Sequence, residues 1–297
     1  SRMLPSSLEL GNIQGWRGGL GAVGMNEAIH IISLGAGVQS SAMSLMAAQG
    51  EIAPMPVAAI FADTQAEPEE VYVWLDWLKE RLPFPVHTVT HKGGLTADIE
   101  NSTIANATSS SSPSFFTKTN GNPEPGLLRR KCTEDFKVLP IKRKVKELLG
   151  FRPRQRIPEG VKCVQWIGIS LDEMTRMRIS MDRHIANRYP LVDLGIRRGG
   201  CLEWMKRNGY PEPPRSACVY CPYHSNREWR RLKDKDPGGW KEAGRVDGLI
   251  RGGMYGTKAD GLFVHRECKP LGQVDLSTDV DHGQLTFLDE CEGMCGV

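Results

Sequence analysis

Ile29-His-Ile-Ile-Ser-Leu-Gly-Ala-Gly-Val-Gln-Ser-Ser41 is the stretch on which the reading of the chain turns. It begins as a short apolar strand, breaks at Gly35-Ala36-Gly37 and resumes at helical spacing through Met43, Leu45 and Met46. A strand that passes through a Gly/Ser loop into a helix can cradle phosphate. Glycine lets the backbone approach an anion, Ser33, Ser40 and Ser41 offer hydroxyls, and the helix N-terminus adds unpaired N–H groups and a positive dipole end. The same pattern also occurs where the loop does nothing but turn, so a second signal is needed.

That signal is Ala58-Ala-Ile-Phe-Ala-Asp-Thr64, another apolar run, ending in a carboxylate and a hydroxyl. The pattern predicts strands over Ile29–Leu34, Val57–Phe61 and Val86–Val89, with helices over Ser40–Gln49 and Glu69–Leu82. In the second helix Val71, Trp74, Leu75 and Leu78 recur on one face, and Pro83 stops it. Strands alternating with helices imply an α/β fold, a Rossmann-like parallel sheet with helices on both faces. Ligands of such sheets bind beyond the carboxyl ends of the strands, here after Leu34 and Ala62. Asp63 then stands where a carboxylate can bind ribose hydroxyls or a Mg²⁺ bridging phosphates; capping the next helix is its plainer role. Glu67, Glu69 and Glu70 read as a helix-start cluster that complements the dipole.

At 297 residues the chain can bury a large core, and one domain with an appendage is the expectation. No apolar run approaches the roughly 18 residues of a membrane span, and Ser1–Gly24 lacks the apolar centre of a signal peptide. Residues 1–26 read as a disordered leader or cloning remnant, with Met25 a candidate natural start, and a cytoplasmic location follows. All eight cysteines lie at or beyond Cys132, which favours metal or redox chemistry in the second half over a disulfide framework. From Asn101 to Gly126 the composition turns to Ser, Thr, Asn and Pro. It predicts a long mobile loop, with a lid over the site as the alternative.

Taken together, Gly35-Ala-Gly-Val-Gln-Ser-Ser41 and Ile60-Phe-Ala-Asp-Thr-Gln-Ala-Glu-Pro-Glu-Glu70 resemble the PP-loop superfamily of adenine nucleotide α-hydrolases, in its phosphoadenosine phosphosulfate (PAPS) reductase-like form. Two later stretches fall in the same order. Lys131-Cys132 and Lys137-Val-Leu-Pro140 resemble the family's cysteine and Lys-aliphatic-x-Pro segment, with one cysteine where iron–sulfur members carry a pair. Val164-Gln-Trp-Ile-Gly-Ile-Ser-Leu-Asp-Glu-Met-Thr-Arg176 resembles the Gly-aliphatic-Arg stretch over the nucleotide, with Ser170 at the usual arginine position and Arg176 or Arg178 to substitute. The resemblance covers roughly Ile29 to Pro222. It implies a nucleotide-binding domain over residues 27–211, followed by a Cys-rich, basic region, 212–297, packing on it.

The nucleotide-binding residues so implied are Ser33, Gly35, Gly37, Gln39, Ser40, Ser41, Asp63, Thr64, Gly168 and Arg176, with ATP or a related adenine nucleotide as ligand and Mg²⁺ as a possible companion. Cys218-Val-Tyr-Cys221 has a spacing that recurs in zinc, iron–sulfur and redox sites. By resemblance Cys132, Cys218 and Cys221 hold a [4Fe–4S] cluster, with Cys201 or Cys291 fourth, or with an open iron. Structural Zn²⁺ on Cys218, Cys221, Cys291 and Cys295, or with His224 or Cys268, competes. The tail Asp289-Glu-Cys-Glu-Gly-Met-Cys-Gly-Val297 resembles the mobile Glu-Cys-Gly tail of sulfonucleotide reductases, which makes Cys291, beside Asp63 and Cys132, a catalytic candidate. The helix Arg227–Lys235, with Trp229 inside it and Arg215 upstream, either tracks a nucleic-acid backbone and stacks a base or is a solvated face.

Three functions are open. In the first, ATP is split at its α-phosphate to activate an acceptor, nucleic acid among the candidates, for iron–sulfur-assisted sulfur transfer from a donor protein. The second is a sulfonucleotide reductase with a cysteine nucleophile and an electron-donor partner. The third is a non-catalytic, zinc-containing nucleic-acid-binding protein.

Overall fold

A computed structural model describes residues 28–91, 93–118, 124–278 and 281. Five strands form one parallel sheet: β1 (Ile29–Leu34), β2 (Ala58–Ala62), β3 (Val86–Val89), β6 (Cys163–Ile167) and β7 (Ile185–Arg188), in the order β3-β2-β1-β6-β7. The chain therefore builds outward from β1 to one side, then crosses back and builds to the other. Ile31 pairs with Ala58 on one flank and Gln165 on the other, which leaves β1 central. The carboxyl ends of β1 and β6 mark the switch in direction, the place where open α/β sheets bind ligands.

Alternation along the strands feeds two cores. Ile32, Leu34, Ala59, Phe61, Val164 and Trp166 face helices α1 (Val38–Ala48), α2 (Glu69–Lys79) and α6 (Arg198–Arg207). Ile31, Ile60, Ala62 and Cys163 face Ile141 and Val145 of α4 (Leu139–Leu148) on the other side. The expected Rossmann-like sheet with helices on both faces is what forms. The helix predicted over Glu69–Leu82 ends at Lys79, and α4 is entered through a π-turn, Glu134–Val138. The short helix α5 (Pro190–Asp193) and a 3₁₀ turn, Leu171–Arg176, complete this half.

A second body packs beside it. Strands β4 (Phe116–Lys118), β5 (Gly126–Leu127) and β8 (Gly261–Phe263) make an antiparallel sheet in the order β5-β4-β8. They join helices α3 (Leu95–Thr103), α7 (Asn226–Lys235) and α8 (Pro237–Ile250) around Phe115, Phe136, Trp229, Val246 and Leu262. This core draws on both sides of residue 211, so it is not a C-terminal appendage in chain order. Helix α8 forms through a glycine-rich passage that holds Gly238, Gly239, Gly244 and Gly248. Ala243, Val246 and Ile250 supply its buried stripe, and the Asp236 side chain caps it by accepting from Gly239 N at 2.7 Å.

The Ser-rich segment also departs from expectation. Ser111, Ser112 and Ser114 are buried; Ser111 N donates to Asp98 Oδ2 at 2.8 Å, and Lys131 N donates to Ser112 O at 3.1 Å. Backbone polar groups that would otherwise be wet are paired to α3 and to the cysteine loop, which fixes this part of the segment in place. Among the described residues no helix is long and apolar enough to cross a membrane.

Candidate functional site

The loop after β1 closes on itself before it offers anything to a ligand. Ala36, with φ of 56°, takes the left-handed turn, flanked by the two glycines. Ser40 Oγ accepts from Gly35 N at 3.2 Å and donates to Gly37 O at 3.3 Å, so its hydroxyl shapes the loop. Ser41 Oγ accepts from Trp74 Nε1 at 2.9 Å inside the core and does not reach the site. Gly168, at the end of β6, lies so close to α1 that a Cβ there would stand 2.8 Å from Ser40 N and Cα. Only a residue without a side chain lets β6 and the loop close together.

Beyond these strand ends opens a cavity of about 490 Å³, within the range of about 300–1,000 Å³ usual for small-molecule sites. Ser33, Gly35, Gly37, Gln39, Ser40, Gly168 and Arg176 all line it. Arg176 pairs with Glu173 at 2.8 Å, whereas Arg178 turns its guanidinium to the carbonyls of Thr175 and Met177, so of the two only Arg176 lines the cavity. Burial holds the Glu173 carboxyl above the ordinary range, against the pull of Arg176.

The cavity's charge comes largely from residues the sequence reading did not assign to it. Lys137, Arg198, Arg215, Arg227 and Arg231 join Arg176 on its walls, against only Glu173 and Glu228. Gln39 Oε1 accepts from Arg198 Nη1 at 3.0 Å and so aims that guanidinium. Glu228 closes the capping box of α7 with Ser225 and also pairs with Arg215. Six cations against two carboxylates make the cavity an anion site. No local spacing signals this, because the six lie on separate segments; only Arg227 and Arg231, one helical turn apart, announce a shared face.

Asp63 is not brought to this cavity. Its Oδ1 accepts from Gln65 N at 2.7 Å and from Tyr72 Oη at 2.9 Å, tying the loop after β2 to α2; burial and Asp63 together raise the Tyr72 hydroxyl. Glu67, expected at an exposed helix start, is instead buried. Its Oε2 accepts from Ser216 Oγ at 3.0 Å, and its Oε1 stands 3.8 Å from Lys137 Nζ.

On the far side of Lys137 lies a second cavity, of about 40 Å³, lined by Cys132, Cys218, Cys221, Thr64 and Ser114. Three of the predicted cysteines thus meet. Thr64 Oγ1 lies 3.3 Å from Cys218 Sγ, and Thr64 lines this cavity and not the larger one. Val219 N donates to Ala66 O at 2.8 Å, strapping the Cys218–Cys221 knuckle to the loop after β2. Burial raises the Cys218 thiol far above its ordinary range, aided by the charge of Glu67 and opposed by Lys137.

Cys201 does not join them. It lies buried in α6, among the side chains packed with α1, its thiol pushed up to about 12 by burial. Cys291 and Cys295 fall outside the described residues. Among the described residues no group of three or more His, Cys, Asp or Glu side chains is arranged to hold a metal ion. The [4Fe–4S] expectation thus finds three of its cysteines around one small cavity, with no group ready to hold a metal ion among the described residues. Trp229, the base-stacking candidate, is wholly buried on the inner side of α7 and is closed to a ligand.

No protein-family model matches the chain, and no curated protein matches it. Among solved structures it is similar to phosphoadenylyl-sulfate (PAPS) reductase from Candida auris in its phosphate complex. That match has 14% identity and a TM-score of 0.39, over 62% of this chain and 74% of that one.

Proposed function

We propose that the chain is an enzyme that binds an adenine nucleotide in the six-cation cavity and uses it for sulfur chemistry at the adjoining thiols. The observation that carries this reading is Lys137, which lines both the anion cavity and the three-cysteine cavity. A cation in that shared wall can neutralise charge on a group passing from one chamber to the other.

In the favoured chemistry an acceptor oxygen attacks the α-phosphate of ATP and pyrophosphate leaves. A sulfur nucleophile from the cysteine side then displaces AMP. The backbone of Gly35–Ser40 and the N-terminus of α1 hold phosphate oxygens, Arg176 and Arg198 clamp them, and Arg215, Arg227 and Arg231 offset the charge of the departing pyrophosphate. Mg²⁺ would travel with the phosphates, since Glu173 and Glu228 are both engaged by arginines.

The same geometry supports a second reading, because three cysteines lining one cavity can supply an attacking and a resolving thiol. A thiolate would then attack the sulfonate sulfur of a sulfonucleotide, releasing the nucleotide, and a second thiol would release sulfite as a disulfide forms. Pyrophosphate release from ATP, measured beside sulfite release from a sulfonucleotide, separates the two; neither product would remove the enzymatic reading. Iron, sulfide and zinc analysis of protein purified without oxygen, with its visible spectrum, tests whether the thiols take a metal in solution.

A further inference from the structure

Among the described residues that line the anion cavity, only Glu173 and Glu228 carry carboxylates, and they are engaged differently. Glu228 serves the fold: it closes the capping box of α7 with Ser225 and pairs with Arg215. Glu173 stands on the 3₁₀ turn Leu171–Arg176, where Arg176 Nη1 lies 2.8 Å from its Oε2, and its side chain keeps 12% exposure. Burial outweighs the pull of Arg176 and Arg198 on this carboxyl and holds it above its ordinary range. A carboxylate in that state is short of hydrogen-bond donors, and a ligand hydroxyl can supply one.

The turn that carries Glu173 is fixed in place. Leu171 N donates to Ile196 O at 2.9 Å, Glu173 N donates to Ser170 O at 2.9 Å, and Asp172 Oδ1 accepts from Arg198 N at 3.0 Å. The first carboxylate of the turn thus ties it to the start of α6, and the second lines the cavity. The turn follows β6, whose end at Gly168 is pressed against Ser40 of the phosphate loop. Phe61, Ile141, Ile167 and Ile169 line the same cavity and supply an apolar wall for a base. The part of a nucleotide that joins base to phosphate is the sugar, whose hydroxyls donate well to a carboxylate. Asp63, which the sequence offered for that task, is tied instead to Gln65 N and Tyr72 Oη and does not line this cavity.

We propose that Glu173 selects the sugar: it accepts a hydrogen bond from a free ribose hydroxyl and, by its charge, turns away a nucleotide phosphorylated on the ribose. The substrate class is then an adenine nucleotide with both ribose hydroxyls free, an inference that rests on the nucleotide reading above. On net charge alone, a cavity with six cations would favour the additional phosphate. A carboxylate placed at the sugar reverses that preference by repulsion.

The test is isothermal titration of the full chain with ATP, 2′-deoxy-ATP and 3′-deoxy-ATP, and with AMP beside adenosine 3′,5′-bisphosphate. ATP should bind about tenfold tighter than at least one deoxy analogue, the loss expected for one hydrogen bond to a charged group. AMP should bind about tenfold tighter than the bisphosphate. Glu173→Ala should bring ATP and the deoxy analogues to within about twofold of one another, because the coupling between the two partners is gone. Glu173→Gln, which keeps an acceptor and loses the charge, should retain the preference for ATP and reverse that for AMP over the bisphosphate. The ratios carry the result, since removing a charge shifts all these anions together. A Glu173 that does no more than orient Arg176 would change every affinity alike and leave the ratios as they are in both variants, which overturns the proposal. So does wild-type protein that binds ATP and both deoxy analogues equally, or the bisphosphate more tightly than AMP. Those outcomes leave the nucleotide reading standing, whereas failure of every nucleotide to bind sinks that reading and the proposal together.

Discussion

Lys137 Nζ stands 3.8 Å from Glu67 Oε1, in the wall that the anion cavity shares with the three-cysteine cavity. The Glu67 side chain is 1% exposed. A carboxylate so deep is tolerable only when a cation and a hydrogen-bond donor offset its desolvation, and Lys137 and Ser216 Oγ are those partners. Glu67 also feeds charge to Cys218, three residues along the strap from Arg215. The Lys137–Glu67 pair thus lies between the cations of one cavity and the Cys218 thiol of the other.

Lys137→Gln should lower turnover by about 10²-fold, as when one preorganised electrostatic donor is lost. The effect should fall on kcat more than on nucleotide Kd, since five other cations line the cavity. Isothermal titration beside steady-state kinetics reads the split. An unchanged kcat would remove Lys137 from the chemistry.

Gly168→Ala should damage the loop itself. The added methyl meets Ser40 backbone at 2.8 Å, and neither β6 nor α1 can give way without repacking. Strain of this sort costs about 1–3 kcal/mol, and nucleotide affinity should fall about tenfold or more with it. Thermal melts and nucleotide titration measure the two losses.

Thiol chemistry should divide the cysteines. Cys163 and Cys201 are buried with thiols raised to about 12, and should resist alkylation until the chain unfolds. Cys132, Cys218 and Cys221 should label in the native state, with Cys218 lagging until pH rises well above the ordinary thiol range of about 8.5. Mass-spectrometric labelling at a series of pH values gives the order directly.

Histidines should make the fold acid-sensitive. Burial, with Arg215 beside it, lowers His224 to about 3, against about 6.5 in the unfolded chain. Below about pH 6.5 the unfolded chain therefore binds a proton that the folded one refuses, so stability falls as pH falls, by up to about 1.4 kcal/mol per unit for this group. His30, His87, His184 and His265 are lowered too and act in the same sense. Melting temperature should drop between about pH 7 and pH 5, and His224→Gln should make that drop shallower.

How much was legible can be judged element by element. β1 and β3 form over the residues their apolar runs mark, and α1 begins within two residues of its predicted start, because strand and helix period are local properties. Helix α8 was hidden: Gly238, Gly239, Gly244 and Gly248 mask the stripe that Ala243, Val246 and Ile250 make once Trp229 and Leu262 are there to cover it. Asp63 and Thr64, adjacent at a strand end, looked like one site and serve different neighbours, Tyr72 and Cys218.

The sequence by itself determined the parallel sheet, the Gly/Ser loop after β1 and the gathering of cysteines after residue 131, since each rests on residue type and short-range spacing. Only the tertiary structure decided which cations face the cavity, that Trp229 is core, that Cys132 meets Cys218 and Cys221 while Cys201 does not, and that Glu67 is buried against Lys137. Those outcomes depend on contacts between segments far apart in the chain, where the direction of a side chain is set by the element that packs behind it.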